Sequence, residues 1–154
     1  MNKDLRVKIV EMIKRSGEGH IPSSFSILDI IEHLYGNVLK FKKDEPKWVD
    51  RDYFILSKGH GCAALYVVLE KYGVLKEKHL LEYGNTEGLL AGHPDSTKVP
   101  GIEASTGSLG HGFPMAVGLA LGLKILKKPN RVFVLLGDGE CHEGTVWEAA
   151  NVAN

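Results

Sequence analysis

The stretch that most restricts the fold is Arg131-Val-Phe-Val-Leu-Leu-Gly-Asp-Gly-Glu-Cys-His-Glu-Gly-Thr-Val-Trp-Glu-Ala-Ala. Val132 to Leu136 is an unbroken apolar run rich in β-branched residues, the pattern of a strand buried on both faces of a parallel sheet. It stops at Gly137-Asp138-Gly139-Glu140, and Val146, Ala149, Ala150 and Ala153 then recur at helical spacing. A strand, a glycine turn and a helix start in succession put polar groups at the carboxyl end of a sheet, where open α/β folds bind ligands. Glycines let backbone N–H groups approach an anion, and a helix N-terminus adds favourable partial charge. An aspartate between them would repel a bare phosphate. It fits if a hard divalent cation, Mg²⁺ or Ca²⁺, sits between its carboxylate and a diphosphate, since such ions take oxygen ligands from both. Alone, the triplet is equally an ordinary turn with Asp138 capping the next helix.

The same design occurs earlier. Tyr53-Phe54-Ile55-Leu56 reads as a short buried strand running into Ser57-Lys58-Gly59-His60-Gly61, with a helix behind it marked by Leu65, Leu69 and Tyr72 and stopped at Gly73. Parallel strands at 53–56 and 131–136, both followed by glycine turns and helices, predict an α/β/α fold whose turns face one cleft. Between them the chain reads in order. Leu5, Ile9, Met12 and Ile13 mark a first helix ending near Ser16-Gly17. Gly17 to Ser24 is a glycine- and serine-rich loop. Ser26 and Asp29 have capping-box-like spacing before Ile27, Ile30, Ile31, Leu34 and Tyr35, the stripe of a second helix. Charged residues 40–51 form a surface connection, residues 76–83 a short solvated helix, and 84–105 an irregular segment of a length that is usually functional or mobile. A long helix follows over 113–126, whose Gly118 and Gly122 permit close packing in a core or at a subunit interface.

Composition narrows the function. The 154 residues suit one domain with a real core, and 44% hydrophobic with 25% charged residues is ordinary for a soluble globular protein. Nineteen basic residues balance nineteen acidic ones, which gives no reason to expect nucleic acid or a membrane as partner. Cys62 and Cys141 are too few for a disulfide framework, so a cytoplasmic setting is the default, and the N-terminus lacks the apolar stretch of a signal peptide.

His20, His60, His93 and His111 each follow a glycine in a loop. Three readings stand side by side: solvated surface histidines, a zinc site (for which no pair has tight ligand spacing), or a polar cleft that handles protons near neutral pH.

The motifs together resemble the transketolase family. Gly19-His20, Ser57-Lys58-Gly59-His60, Gly92-His93-Pro94, Thr106-Gly107-Ser108-Leu109-Gly110 and Gly137-Asp138-Gly139 occur in that family's order, with Glu143-Gly144 and Trp147-Glu148-Ala149 behind the last. The resemblance covers residues 3–154 and is closer to transketolase than to deoxyxylulose-phosphate synthase. It implies that residues 1–154 are the N-terminal part of a thiamine-diphosphate-binding domain, a three-layer α/β/α fold with a parallel sheet, incomplete at its C-terminus.

The implied reaction moves a two-carbon ketol unit from a ketose to an aldose, with thiamine diphosphate and Mg²⁺ or Ca²⁺ as cofactors, in the transferase chemistry of the cytoplasmic pentose phosphate route. A dihydroxyacetone- or deoxyxylulose-phosphate-forming carboligase, or a non-catalytic remnant, are the alternatives. By resemblance, Asp138 is the metal ligand. His60, Gly107, Ser108, Leu109, Gly137, Asp138, Gly139 and Glu140 form the cofactor-binding set. His20 and His93 are catalytic, moving protons to and from the substrate, and Glu143 and Glu148 lie at a subunit interface. Partners are sugar phosphate substrates and a pyrimidine-binding domain or C-terminal transketolase subunit, in a homo- or hetero-oligomer. His111 stands where many relatives have glutamine, and Pro22-Ser23-Ser24-Phe25 resembles split-subunit relatives, which leaves the acceptor open. An asparagine metal ligand and the pyrimidine-side glutamate are expected outside this chain, so the chain alone is expected to be inactive. The pattern fits equally a shortened piece, an incomplete gene product or a degenerate homologue.

Overall fold

Residues 3–154 are described by a computed structural model. The apolar spacing of Leu5, Ile9 and Met12 produces α1 (Lys3–Ser16), which buries those three residues. The second helix departs from the expected boundary. α2 (Ile21–His33) begins within the glycine- and serine-rich segment, and its N-cap is His20, whose Nδ1 accepts the Ser23 N–H at 3.1 Å. The Ser26/Asp29 box is not formed: Ser26 Oγ donates to Ser23 O inside the helix, and Asp29 pairs with Arg6 of α1. The physical reason lies in Pro22, which costs nothing in a first turn where its missing N–H has no intrahelical partner. A π-helical turn over Leu34–Val38 ends this element.

β1 (Tyr53–Leu56) and β2 (Val132–Leu135) pair in parallel, with Phe54 opposite Phe133 and Leu56 opposite Leu135. Buried Asp52 sets this register from the strands' N-terminal ends. Its carboxylate accepts the amides of Lys40 and Arg131 at 2.9 and 3.0 Å and the Arg131 guanidinium at 2.6 Å. Burial alone would raise the Asp52 pKa; these hydrogen bonds outweigh it and hold the carboxyl below its ordinary 3.8. Asn130 Nδ2 adds hydrogen bonds to Val49 O and Arg51 O.

Side chains alternate across the sheet. Phe54, Leu56 and Leu135, with Phe133 against them, join one core with α1, α2 and α3 (Cys62–Lys71), a helix buried from Cys62 to Leu69. On the other face Val132 and Val134 line an apolar groove of about 220 Å³ with Phe113 and Val117 of α5 (Gly112–Ile125) and Ala153 of α6 (Gly144–Ala153). Helices therefore cover both faces, the expected α/β/α arrangement. The expectation of a strand buried on both faces holds for β1 and not for β2. Only Leu135 of β2 is fully buried, because among the described residues β2 has β1 as its single neighbour and its other edge is open.

Residues 84–105 contain neither helix nor strand, following the short α4 (Glu77–Leu81). They are nonetheless tied down. Leu90, Val99 and Ile102 are buried, and Tyr66 of α3 donates to both Ala91 O and His93 O at 3.1 Å. The Cys62 thiol, pushed up to about 12 by burial, donates to Gly92 O at 3.1 Å. This cysteine fastens a loop; as an un-ionised thiol it is no nucleophile.

Candidate functional site

Three loops meet at the carboxyl ends of the two strands: Ser57–Gly61 after β1, Leu136–His142 after β2, and Ser105–His111 ahead of α5. The Ser57 amide continues the sheet ladder to Leu135 O at 2.9 Å. Thr106 Oγ1 donates to Leu56 O at 2.7 Å, holding the third loop on the end of β1. Contact there is so close that a Cβ on Gly59 would stand 2.5 Å from Thr106 O.

The sequence-predicted histidines converge on this place from three directions. His20 and His60 lie edge to face with ring centroids 5.5 Å apart. His93 lies against Gly107, its Cδ2 3.1 Å from where a Cβ would stand on that glycine. His20 and His93 are exposed and His60 is half-buried. Because His20 Nδ1 is an acceptor for Ser23, the neutral ring carries its proton on Nε2. Burial, followed by the nearby His20, Lys58 and His93, lowers the His60 pKa below 6.5. His111 stays outside the cluster; its Nδ1 lies 3.1 Å from Leu109 O.

The His60 shift has a stability consequence. A histidine whose folded pKa lies below the unfolded one leaves the unfolded chain binding more protons, so stability falls as pH drops below about 6.5. Thermal melts between pH 7.5 and 5.0 are expected to show this fall, and His60→Asn to flatten it. A variant with the wild-type slope would show that other groups carry the effect.

Asp138 is exposed at the head of a 3₁₀ turn over Gly139–His142, and its side chain makes no capping hydrogen bond. The reading of Asp138 as a helix cap is therefore not what this turn uses. Open space surrounds the position of a Cβ on Gly139. Lys58, which the sequence reading passed over, joins the two sides of the cleft. Its Nζ donates to Ser23 O and Ser26 Oγ at 3.2 and 3.0 Å, while its Cδ lies 3.3 Å from the Cβ position of Gly137. Burial lowers the Lys58 pKa, and the charges of Asp138 and Glu140 oppose that shift. A signal for Lys58 existed in the sequence, since a lysine directly after a buried strand needs oxygen partners. An uncapped carboxylate and an open glycine in one turn, with the buried Lys58 of the neighbouring loop beside them, suit a metal-bridged diphosphate.

The remaining predicted residues separate. Ser108 is exposed and Leu109 half-buried on the rim of the third loop. Glu143 and Glu148 are exposed. Glu140 is 2% exposed, with its carboxylate hydrogen-bonded to the protein. Among the described residues no three His, Cys, Asp or Glu side chains converge as a metal site. A groove of about 900 Å³ runs between residues 45–51 and 96–103 and is lined by none of the predicted site residues.

A family model described as "Transketolase, thiamine diphosphate binding domain" matches residues 1–154. The chain belongs to that family.

Among its relatives, the transketolase domain is 40% identical over 149 residues to one subunit of the apulose-4-phosphate transketolase of Phocaeicola vulgatus. It is 41% identical over 150 residues to a 6-deoxy-6-sulfo-D-fructose transketolase subunit of a Clostridium species. These alignments take in 97% of this chain and 53% and 54% of those proteins. The chain thus spans about half the length of the curated relatives it matches. The solved transketolase of Leishmania mexicana superposes with a TM-score of 0.87 at 31% identity, over 96% of this chain and 24% of that one. That likeness and the parallel strands place the fold among α/β thiamine-diphosphate-binding domains. No helix among the described residues is long and apolar enough to cross a membrane.

Proposed function

We propose that this chain supplies the diphosphate- and metal-binding side of a transketolase that moves a two-carbon ketol unit from a ketose to an aldose. The observation that carries this is the meeting of three loops at one sheet end, where the Asp138 carboxylate is left uncapped, the His20 and His60 rings touch and His93 lies against Gly107. Asp138 takes the divalent cation, Mg²⁺ or Ca²⁺. Gly137 and Gly139 offer backbone to the diphosphate, and His60 faces it with a neutral ring. The Gly107 carbonyl receives the aminopyrimidine amino group, with Ser108 and Leu109 along the rings. Thiamine diphosphate held by these residues would supply the nucleophilic-carbon chemistry that ketol transfer needs.

The chain's own proton chemistry rests on the exposed histidines. His20 presents Nε2–H toward a substrate oxygen, its ring held in place by the Ser23 amide. His93, fastened through its carbonyl to Tyr66, exchanges a proton with the substrate hydroxyl beside Gly107. A pyrimidine-binding domain or a C-terminal subunit completes the site. Two relatives are themselves named as transketolase subunits, which supports a partner.

The test is ketol transfer from a ketose phosphate, with and without a separately supplied transketolase C-terminal subunit. The chain alone is expected to be inactive, and activity to appear once both the remainder of its domain and a C-terminal subunit are supplied. His20→Ala and His93→Ala are expected to lower turnover about 10²–10⁴-fold with little change in cofactor affinity. Equal loss of cofactor binding in both variants would remove them from the proton-transfer role.

A further inference from the structure

The carboxylate of Glu140 sits where the three loops of the site touch. Its Oε1 accepts the Ser57 hydroxyl at 2.5 Å and the Gly110 amide at 2.9 Å, and its Oε2 accepts the Gly137 amide at 3.0 Å. One donor comes from the loop after β1, one from the loop before α5, and one from the turn after β2. Two of the three lie 83 and 30 residues away in sequence. A carboxylate that is 2% exposed must find its hydrogen bonds inside the protein, and both oxygens have done so. Gly110 is held from its other side as well: its carbonyl accepts Thr145 Oγ1 at 2.8 Å, and its φ of +78° excludes ordinary side chains.

We infer that Glu140 is a positioning residue, a buried clip that ties the three loops into one unit, and not a ligand of the cofactor. It deepens the proposed function and rests on the reading of this cleft as a cofactor site. With both oxygens hydrogen-bonded to loop amides and a hydroxyl and the residue 2% exposed, the carboxylate offers a ligand almost no accessible surface. Its effect is geometric: the turn bearing Asp138 cannot shift without carrying Gly110, and through it the Gly107–Leu109 rim. Charged hydrogen bonds of this kind are stronger than neutral ones, so the clip resists independent motion of the loops. Diphosphate and aminopyrimidine contacts, which belong to different loops, are thereby held at a fixed mutual distance before any ligand arrives.

The test uses the whole chain labelled with ¹⁵N. In Glu140→Gln, one donor must face an amide NH₂ in place of an oxygen. Hydrogen exchange at the Gly110 and Gly137 amides is expected to accelerate about tenfold or more, while exchange at Val67 and Leu69 in α3 stays unchanged. A second arm reads coupling. Ser57→Ala is expected to shift the amide resonances of Gly110 and Gly137, and to lose that effect in the Glu140→Gln background. A merely stabilising residue would not remove this dependence. Unchanged exchange at both glycines, or Ser57→Ala shifts of equal size in both backgrounds, would overturn the clip. If Glu140→Gln does not fold, Ser57→Ala alone decides, and silent Gly110 and Gly137 resonances reject it. Titration with Mg²⁺ and inorganic pyrophosphate of the wild-type chain completed by the remainder of its domain checks the underlying reading separately. Silence at Asp138 and Gly139 counts against the cofactor site, whereas exchange and coupling judge the clip.

Discussion

Asp138→Ala should weaken thiamine diphosphate binding about 100-fold or more in the chain completed by the remainder of its domain and its partner, and the loss should be visible as a collapsed Mg²⁺ dependence. The estimate starts from outer-shell metal partners, whose removal costs about 10–100-fold; a direct ligand belongs at or above the top of that range. The carboxylate is exposed, uncapped and free of hydrogen bonds to the turn it heads, so its removal leaves the local fold intact. Asp138→Asn keeps the shape and one oxygen and loses the charge, and its affinity should lie between wild type and alanine. His60→Ala should cost less, because a neutral imidazole beside a diphosphate offers one hydrogen bond, worth about 1 kcal/mol. The measurement is calorimetric affinity for thiamine diphosphate across a Mg²⁺ series. An Asp138→Asn variant with unchanged metal dependence would reject the ligand role.

Gly59→Ala is expected to have the largest structural effect at the site. The added methyl would stand 2.5 Å from Thr106 O, 2.7 Å from Thr106 C and 3.0 Å from Gly107 N, all backbone atoms that cannot rotate away. Relief requires the β1 loop and the Ser105–His111 loop to separate, and overpacking of this type costs about 1–3 kcal/mol. For a chain of this size that lowers Tm by roughly 2–12 °C. The separation also opens His60 to water, and its pKa should climb back toward 6.5, because burial is the first cause of its depression. Differential scanning calorimetry and an NMR pH titration of the His60 ring read the two effects. A Gly59→Ala protein with wild-type Tm and His60 pKa would show that the loops can part without cost.

Much of this architecture was legible in the sequence, for local reasons. The apolar runs at Phe54–Leu56 and Val132–Leu135 can only be strands of a covered sheet, and the glycines that end them mark turns at its carboxyl edge. The periodicity of Leu5, Ile9 and Met12 is enough for α1, and the glycine-histidine motifs, in their order, are enough for the family. The boundary of α2 was missed because a histidine is a rare cap. The Ser26/Asp29 spacing satisfied a local rule that Asp29 then left unused in favour of Arg6.

Tertiary structure alone decided what depends on distant partners. Burial on both faces of β2 was expected from its composition, yet a strand's burial depends on its neighbours, and among the described residues β2 has one. His20 and His60 lie 40 residues apart in number, and no sequence spacing places their rings 5.5 Å from each other. The role of Lys58 arises from oxygens of α2 and a turn after β2, and that of Glu140 from donors in three loops. A carboxylate in a glycine turn reads as a ligand in one dimension. In three dimensions its desolvation requires internal donors, and those donors turn it from the ligand toward the frame.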